Sequence, residues 1–277
     1  MSASASFACS VAFMAEPSAS LSDWIASFAA ERWLDRPEAT GEGVTVALLD
    51  SGVDVARLHE RHPRCDLRNR VLFAGNSADP VPAPDYHSLP HGTTVADILL
   101  TLAPGLALHS ADVFGPRGTC EVETIVQALR YAIEHWQPRI VNLSLGVPES
   151  KLVPPHRKQL LQRTIDEAYD RGVLVVASAN NDHPHTVSYP AVLAAPLLSV
   201  DKHSGSDPRE FAYRPHDRIE FEAHGRGYSG VLAREPATSW AAPHLSAYAA
   251  RLLSMHPQLR PFEIKTLLAW LGRRGAT

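Results

Sequence analysis

The chain has 277 residues, with 26 Lys and Arg against 30 Asp and Glu, a net charge of −4 and 20% charged residues. So mild and mixed a charge excludes a nucleic-acid or anionic-membrane binder that works by electrostatics, and a chain this long buries a core without disulfide or metal staples. Three widely spaced cysteines (Cys9, Cys65, Cys120) write neither a disulfide framework nor a CxxC metal site, which leaves a soluble globular enzyme or binding protein.

Residues 7–15, FACSVAFMA, are apolar like the centre of a signal peptide, but the first basic residue is Arg32. A secretory signal needs a positive start and a membrane span needs about 20 apolar residues. Residues 1–18 are therefore expected to form a Ser/Ala-rich lead-in, and the protein to remain in the cytoplasm. Leu21, Trp24, Ile25, Phe28 and Trp33 follow at close to helical spacing, which predicts an amphipathic helix over 21–34. Beyond Gly41 the pattern alternates. Strands are predicted at 44–49, 107–113, 140–145, 173–179 and 197–200, and helices at 93–102, 122–136, 157–171, 240–254 and 261–271. This alternation predicts an α/β fold, a mostly parallel sheet with helices on both faces. No repeat or linker divides it, so 1–40 is read as lead-in and helix and 41–277 as one domain.

Ligands of such sheets bind in the crevice outside the carboxyl ends of the strands, which points to the residues just after 49, 113, 145 and 179. Asp50 ends the first strand in VALLDSGVD, where it can orient a base or simply serve as a cap or turn residue. His91 opens the helix of HGTTVADILL after a loop holding Pro80, Pro82, Pro84 and Pro90. Ser239, in ATSWAAPH, stands just before a helix, where free N–H groups and the macrodipole favour a developing negative charge; an ordinary helix cap is the alternative. Asn180, in VVASANND, has an amide to donate past a strand end, or a turn to make. Singly, cap and turn chemistry explains each as well. Together they supply an orienting acid, a base, an oxyanion donor and a nucleophile at one edge of the sheet.

The segments DSGVD, HGTTVADIL, VNLSLG, YPA and TSWAAPH, in this order from about Gly41 to Leu253, resemble the subtilisin-like serine proteases, or subtilases. The resemblance implies a subtilisin-like three-layer architecture and an endopeptidase that works through an acyl-enzyme. Ser239 would attack the scissile carbonyl, His91 would carry its proton, and Asp50 would hold the imidazole. Asn180 and the Ser239 N–H would bind the oxyanion. It also implies a peptide or protein substrate held as an extended strand between Leu143, Ser144, Leu145 and Gly146 on one side and Gly118, Thr119 and Cys120 on the other. No cofactor and no metal are expected. The pocket for the side chain before the cut would be walled by Leu143–Gly146 with Ala177, Ser178 and Ala179, and floored near Ser188. Ser188 and Ala179 stand where glycine is usual, so large aromatic side chains should be disfavoured.

Other departures are Ala237, again for a usual glycine, and Thr94 and Asp97 for a usual His and Gly. The stretch after His91 has no room for a calcium-binding insertion, and 40 residues before the body are short for a folding prodomain, so neither is expected. His59-Glu-Arg-His62 is not HExxH, and His183-Pro-His185 falls in a loop. Two other readings compete with hydrolysis. A degenerate peptide-binding module draws on the alanines, and an acyl-enzyme transamidase (a macrocyclase) would use the same groups. The serine-carboxyl peptidases carry Glu and Asp where His91 and Asn180 stand. Four intact reacting groups favour a peptidase, with a selective intracellular processing role.

Overall fold

The computed structural model describes residues 36–73, 79–194, 196–203, 205–214, 217–230 and 232–274. The expected lead-in and 21–34 helix lie outside these residues. The strands are β1 (Thr45–Asp50), β2 (Asp66–Leu72), β3 (Val81–Pro82), β4 (Ala107–Asp112), β5 (Ile140–Leu143), β6 (Val147–Pro148), β7 (Leu174–Ser178), β8 (Ser188–Tyr189), β9 (Leu198–His203), β10 (Phe211–Tyr213) and β11 (Phe221–His224). The α-helices are α1 (Val55–Arg61), α2 (His91–Leu102), α3 (Val122–Tyr131), α4 (His156–Asp170), α5 (Thr238–Met255) and α6 (Pro261–Arg274).

Nine strands form one sheet in the order β10-β11-β9-β7-β5-β1-β4-β2-β3, and β6 pairs with β8 in a separate ribbon. Neighbours from β11 to β2 run parallel, and only the outermost strands, β10 and β3, are antiparallel. This is the expected α/β architecture. Every residue from Val46 to Asp50 is buried, as a central parallel strand requires. Along β1 the faces alternate: Ala47 and Leu49 pack toward α3 and α4, while Val46 and Leu48 face the side covered by α2 and α5. Register sets Asp50 level with Asp112, so the carboxyl ends of β1 and β4 open at one height.

The helix at 122–136 differs in form from the expectation. It is α-helical to Tyr131 and then widens into a π turn at Ala132–Trp136, closed by Gln137 in the left-handed conformation. The wider turn is what places Trp136 on His109, with rings stacked 4.9 Å apart and 18° from parallel. At α6, Pro261 takes the first helical position, and Glu263 reaches back to accept the Arg260 N–H at 2.7 Å. Four residues, Ala103–Leu106, join α2 directly to β4.

Two buried histidines are held neutral. Burial pushes His244 down to about 3, and its Nδ1 and Nε2 face the Trp240 carbonyl at 2.7 Å and the Tyr228 hydroxyl at 2.9 Å. Burial, with help from Arg68, pushes His109 down to about 4, and its Nδ1 accepts from the Asn69 amide. Both take up protons near pH 6.5 once unfolded. Their contribution is therefore complete above about pH 6.5 and is lost as pH falls from there toward about 3. Thermal unfolding followed by circular dichroism should show Tm falling steadily from pH 7 to pH 4, and a His109→Gln chain should lose less over that interval.

Candidate active site

The carboxyl end of β1 presents Asp50, fully buried. Its Oδ1 accepts hydrogen bonds from the Ser51 N–H at 2.8 Å and from His91 Nδ1 at 2.8 Å. Its Oδ2 is buried with no hydrogen-bond partner among the described residues, so an imidazolium at His91 is the positive charge set against this carboxylate. His91 is the first residue of α2, a quarter exposed, with Nε2 as its remaining nitrogen. The next residue must be small: a Cβ on Gly92 would collide with the Gly52 carbonyl and lie 3.1 Å from Asp50 Oδ1. Burial alone would lower the His91 pKa, but the charge of Asp50 and its hydrogen bond outweigh burial and raise it above the ordinary value.

Ser239 does not precede its helix. It lies inside the first turn of α5, which begins at Thr238. Its N–H therefore has no intrahelical acceptor and remains available to an oxyanion. Its carbonyl is released too, because Pro243 has no N–H to offer four residues on. Ser144 Oγ fills that vacancy, donating to the Ser239 carbonyl at 2.8 Å. Ser144 in turn accepts from Asn142 Nδ2 at 3.0 Å, and Asn142 Oδ1 accepts from Ser246 Oγ at 2.9 Å. This buried chain ties β5 to α5 with every group partnered. Ser239 itself is partly exposed, and its hydroxyl makes no hydrogen bond among the described residues. Trp240, the residue after Ser239, packs its ring on His91 with centroids 4.9 Å apart.

Asn180 lies two residues past β7. Its Oδ1 accepts the Asp182 N–H at 2.9 Å, which leaves Nδ2 as the donor end of the amide. The neighbouring Asn181 was not singled out from the sequence, yet its Oδ1 caps the first N–H of α5, on Thr238, at 2.8 Å. Thr238 Oγ1 donates to the Ala179 carbonyl at 2.7 Å. The Asn180 loop and the Ser239 turn are thereby one unit. Ala237 is extended, with φ −143° and ψ 148°, so alanine suits it as well as glycine. Asp97 is buried and paired with Arg61 Nε at 2.6 Å and His62 Nε2 at 2.8 Å, so α1 compensates the carboxylate on α2.

Ser144, Leu145 and Gly146 leave β5 without joining another strand, and their backbone groups make no main-chain hydrogen bonds among the described residues. Cys120, Leu145, Val147 and Leu152 belong to one apolar cluster, and Lys151 Nζ reaches the Cys120 carbonyl at 3.4 Å. This places the exposed Thr119 and the left-handed Gly118 (φ +62°) across from the Ser144–Gly146 edge. Asp112, also missed, organises that side: its carboxylate accepts from the Ser88, Phe114 and Gly115 N–H groups at 2.7, 3.0 and 2.8 Å. Burial, reinforced by Glu121, pushes the Cys120 thiol up to about 12, so it is no rival nucleophile. Ser188 is buried, and a Cβ on Gly146 would run into its hydroxyl. Ala177, Ser178 and Ala179 are buried as well.

Residues 41–271 match the sequence profile described as the subtilase family. The chain belongs to the subtilase family. Over 232 residues it is 26% identical to subtilisin E of Bacillus subtilis (strain 168), covering 79% of this chain and 57% of that relative's length. It is 27% identical over 246 residues to subtilisin Savinase of Lederbergia lenta, covering 83% of each. Among solved structures this subtilase resembles sphericase (TM-score 0.66, 22% identity, 83% of each chain) and a lanthipeptide protease (TM-score 0.62, 20% identity, 88% and 87%).

The Asn181–Thr238 bond gives this subtilase a long-range helix cap. Asn181→Ala should cost about 1–2 kcal/mol in chemical unfolding, and Asn181→Asp, which keeps the acceptor, should recover most of it.

Proposed function

We propose that this chain is an active serine endopeptidase that cleaves peptide bonds through an acyl-enzyme on Ser239. One observation carries the reading: the Asp50–His91 hydrogen bond at 2.8 Å sits beside a helix N-terminus that presents Ser239. The substrate lies extended against Ser144–Gly146 and Gly118–Cys120. Ser239 Oγ attacks the carbonyl carbon while its proton passes to His91 Nε2, and Asp50 stabilises the imidazolium. The oxyanion takes hydrogen bonds from the Ser239 N–H and Asn180 Nδ2. The imidazolium then protonates the leaving amine, and water attacks the acyl-enzyme by the reverse route.

A selective processing role, inside the cell, is supported by the occupied pocket floor at Ser188 and by the free thiols of Cys65 and Cys120. Against a peptide library the protease should prefer small or medium side chains before the cut. Phe and Tyr should be disfavoured by roughly 10–100-fold, and Ser188→Gly should widen acceptance.

A fluorophosphonate probe read by intact mass should label the wild-type chain and leave Ser239→Ala unlabelled; no labelling of either would overturn the reading. Asn180→Ala should lower kcat by about 10²–10³ with little change in KM, a magnitude taken over from subtilisin rather than derived from this geometry. Because His91 must be neutral to act, kcat/KM should rise with pH through a value above about 6.5.

A further inference from the structure

Trp240 follows the nucleophile directly, and its large ring is not spent on the hydrophobic core alone. It is buried, its indole N–H donates to the Glu235 carbonyl at 3.0 Å, and that bond fixes the ring about its own axis. The face so held lies on the His91 imidazole, with centroids 4.9 Å apart and planes 31° from parallel. His91 is thus gripped along one edge by Asp50 and across one face by Trp240. A cation within about 6 Å of an indole face is attracted by the ring quadrupole, more strongly where water is excluded. The cation in this site is the His91 imidazolium. It forms in the resting enzyme below the His91 pKa, and in the reaction when the Ser239 proton moves to His91 Nε2.

We propose that Trp240 is a positioning residue for the acyl transfer, holding the plane of the His91 ring and favouring its imidazolium form through the indole face. The inference rests on the peptidase reading above. It adds a second group, besides Asp50, that sets the strength of the base. Asp50 is the charged group that acts on His91, and an uncharged ring on the face of the imidazole leaves that ion pair intact.

Two roles for the indole predict opposite signs. If the ring favours the cation, its removal lowers the His91 pKa. If it only keeps water away, a smaller side chain admits water, eases the charging of His91 and raises the pKa.

The test is the pH dependence of Ser239 modification by a fluorophosphonate, measured as a rate on the full chain for wild type, Trp240→Leu, Trp240→Met and Trp240→Phe. Thermal unfolding identifies the folded variants. The Leu and Met chains should show the acid limb displaced downward by about half a unit to one unit, with the plateau rate reduced roughly 3–10-fold. Trp240→Phe, which keeps a ring face without the indole N–H, should restore most of the limb. If Leu does not fold, the Met and Phe chains carry the comparison. A limb unchanged or displaced upward in Met, or displaced equally in Met and Phe, overturns the role of the ring while leaving the peptidase intact. Failure of wild type to react at all overturns the peptidase reading and this inference with it.

Discussion

A helix that is buried on every side sets the terms for the rest of this protein. From Trp240 to Ala250, α5 has no residue facing solvent, because it runs against the sheet and beneath α2. Alanine and serine fill much of that stretch, since small side chains let the helix lie close to β5, β7 and β9. Every polar group on such a helix needs a partner within the protein. Ser246 finds Asn142, His244 finds Tyr228, and the carbonyl released by Pro243 finds Ser144. The reactive end of the helix is therefore positioned by the same bonds that make its burial tolerable. Catalytic geometry and core packing cannot be separated in this chain.

The histidines show how one side chain is given different work by its neighbours. His91, His109 and His244 are all removed from water to a large extent, and burial disfavours the charged form in each. Only His91 has a carboxylate on its ring nitrogen. His244 faces a carbonyl and a phenol, and His109 faces an amide and a stacked indole. Two are held neutral, and in the third the carboxylate outweighs burial and raises the pKa. An aromatic ring beside a histidine does not decide the matter, because Trp136 lies on His109 just as Trp240 lies on His91. The carboxylate decides it.

Much of the fold and of the reacting groups was legible because both are written in short-range pattern. The buried central strands are continuous apolar runs, and the helices between them carry a 3.6-residue period, so their order and direction followed. Asp50, His91, Asn180 and Ser239 fall at element ends, where motif and topology agree. β2 and α1 were not foreseen. β2, DLRNRVL, is polar and shifts register between Leu67 and Arg70, and α1 is short with Leu58 its only buried residue. Asn181, Asp112 and Trp240 were missed as functional residues for a different reason. Asn181 meets Thr238 57 positions on and Trp240 meets the ring of His91 in a distant segment, so no local signal distinguishes those two. Asp112 carries the same mark as Asp50, an acid closing a buried strand.

The two-stranded ribbon of β6 and β8 has a consequence for how an exchange at Ser188 acts. Ser188 and Tyr189 sit on a ribbon that pairs with itself, Val147 to Tyr189 and Pro148 to Ser188, and joins no strand of the main sheet. Asp50, His91 and Ser239 are fixed instead by the central strand and two helices. The ribbon that carries Ser188 and the elements that hold Asp50, His91 and Ser239 are thus different parts of the fold, linked through the Ser144 hydroxyl on the Ser239 carbonyl. An exchange at Ser188 acts on a ribbon that pairs with no strand of the sheet, so the Asp50–His91 bond and the first turn of α5 do not depend on it through any ladder.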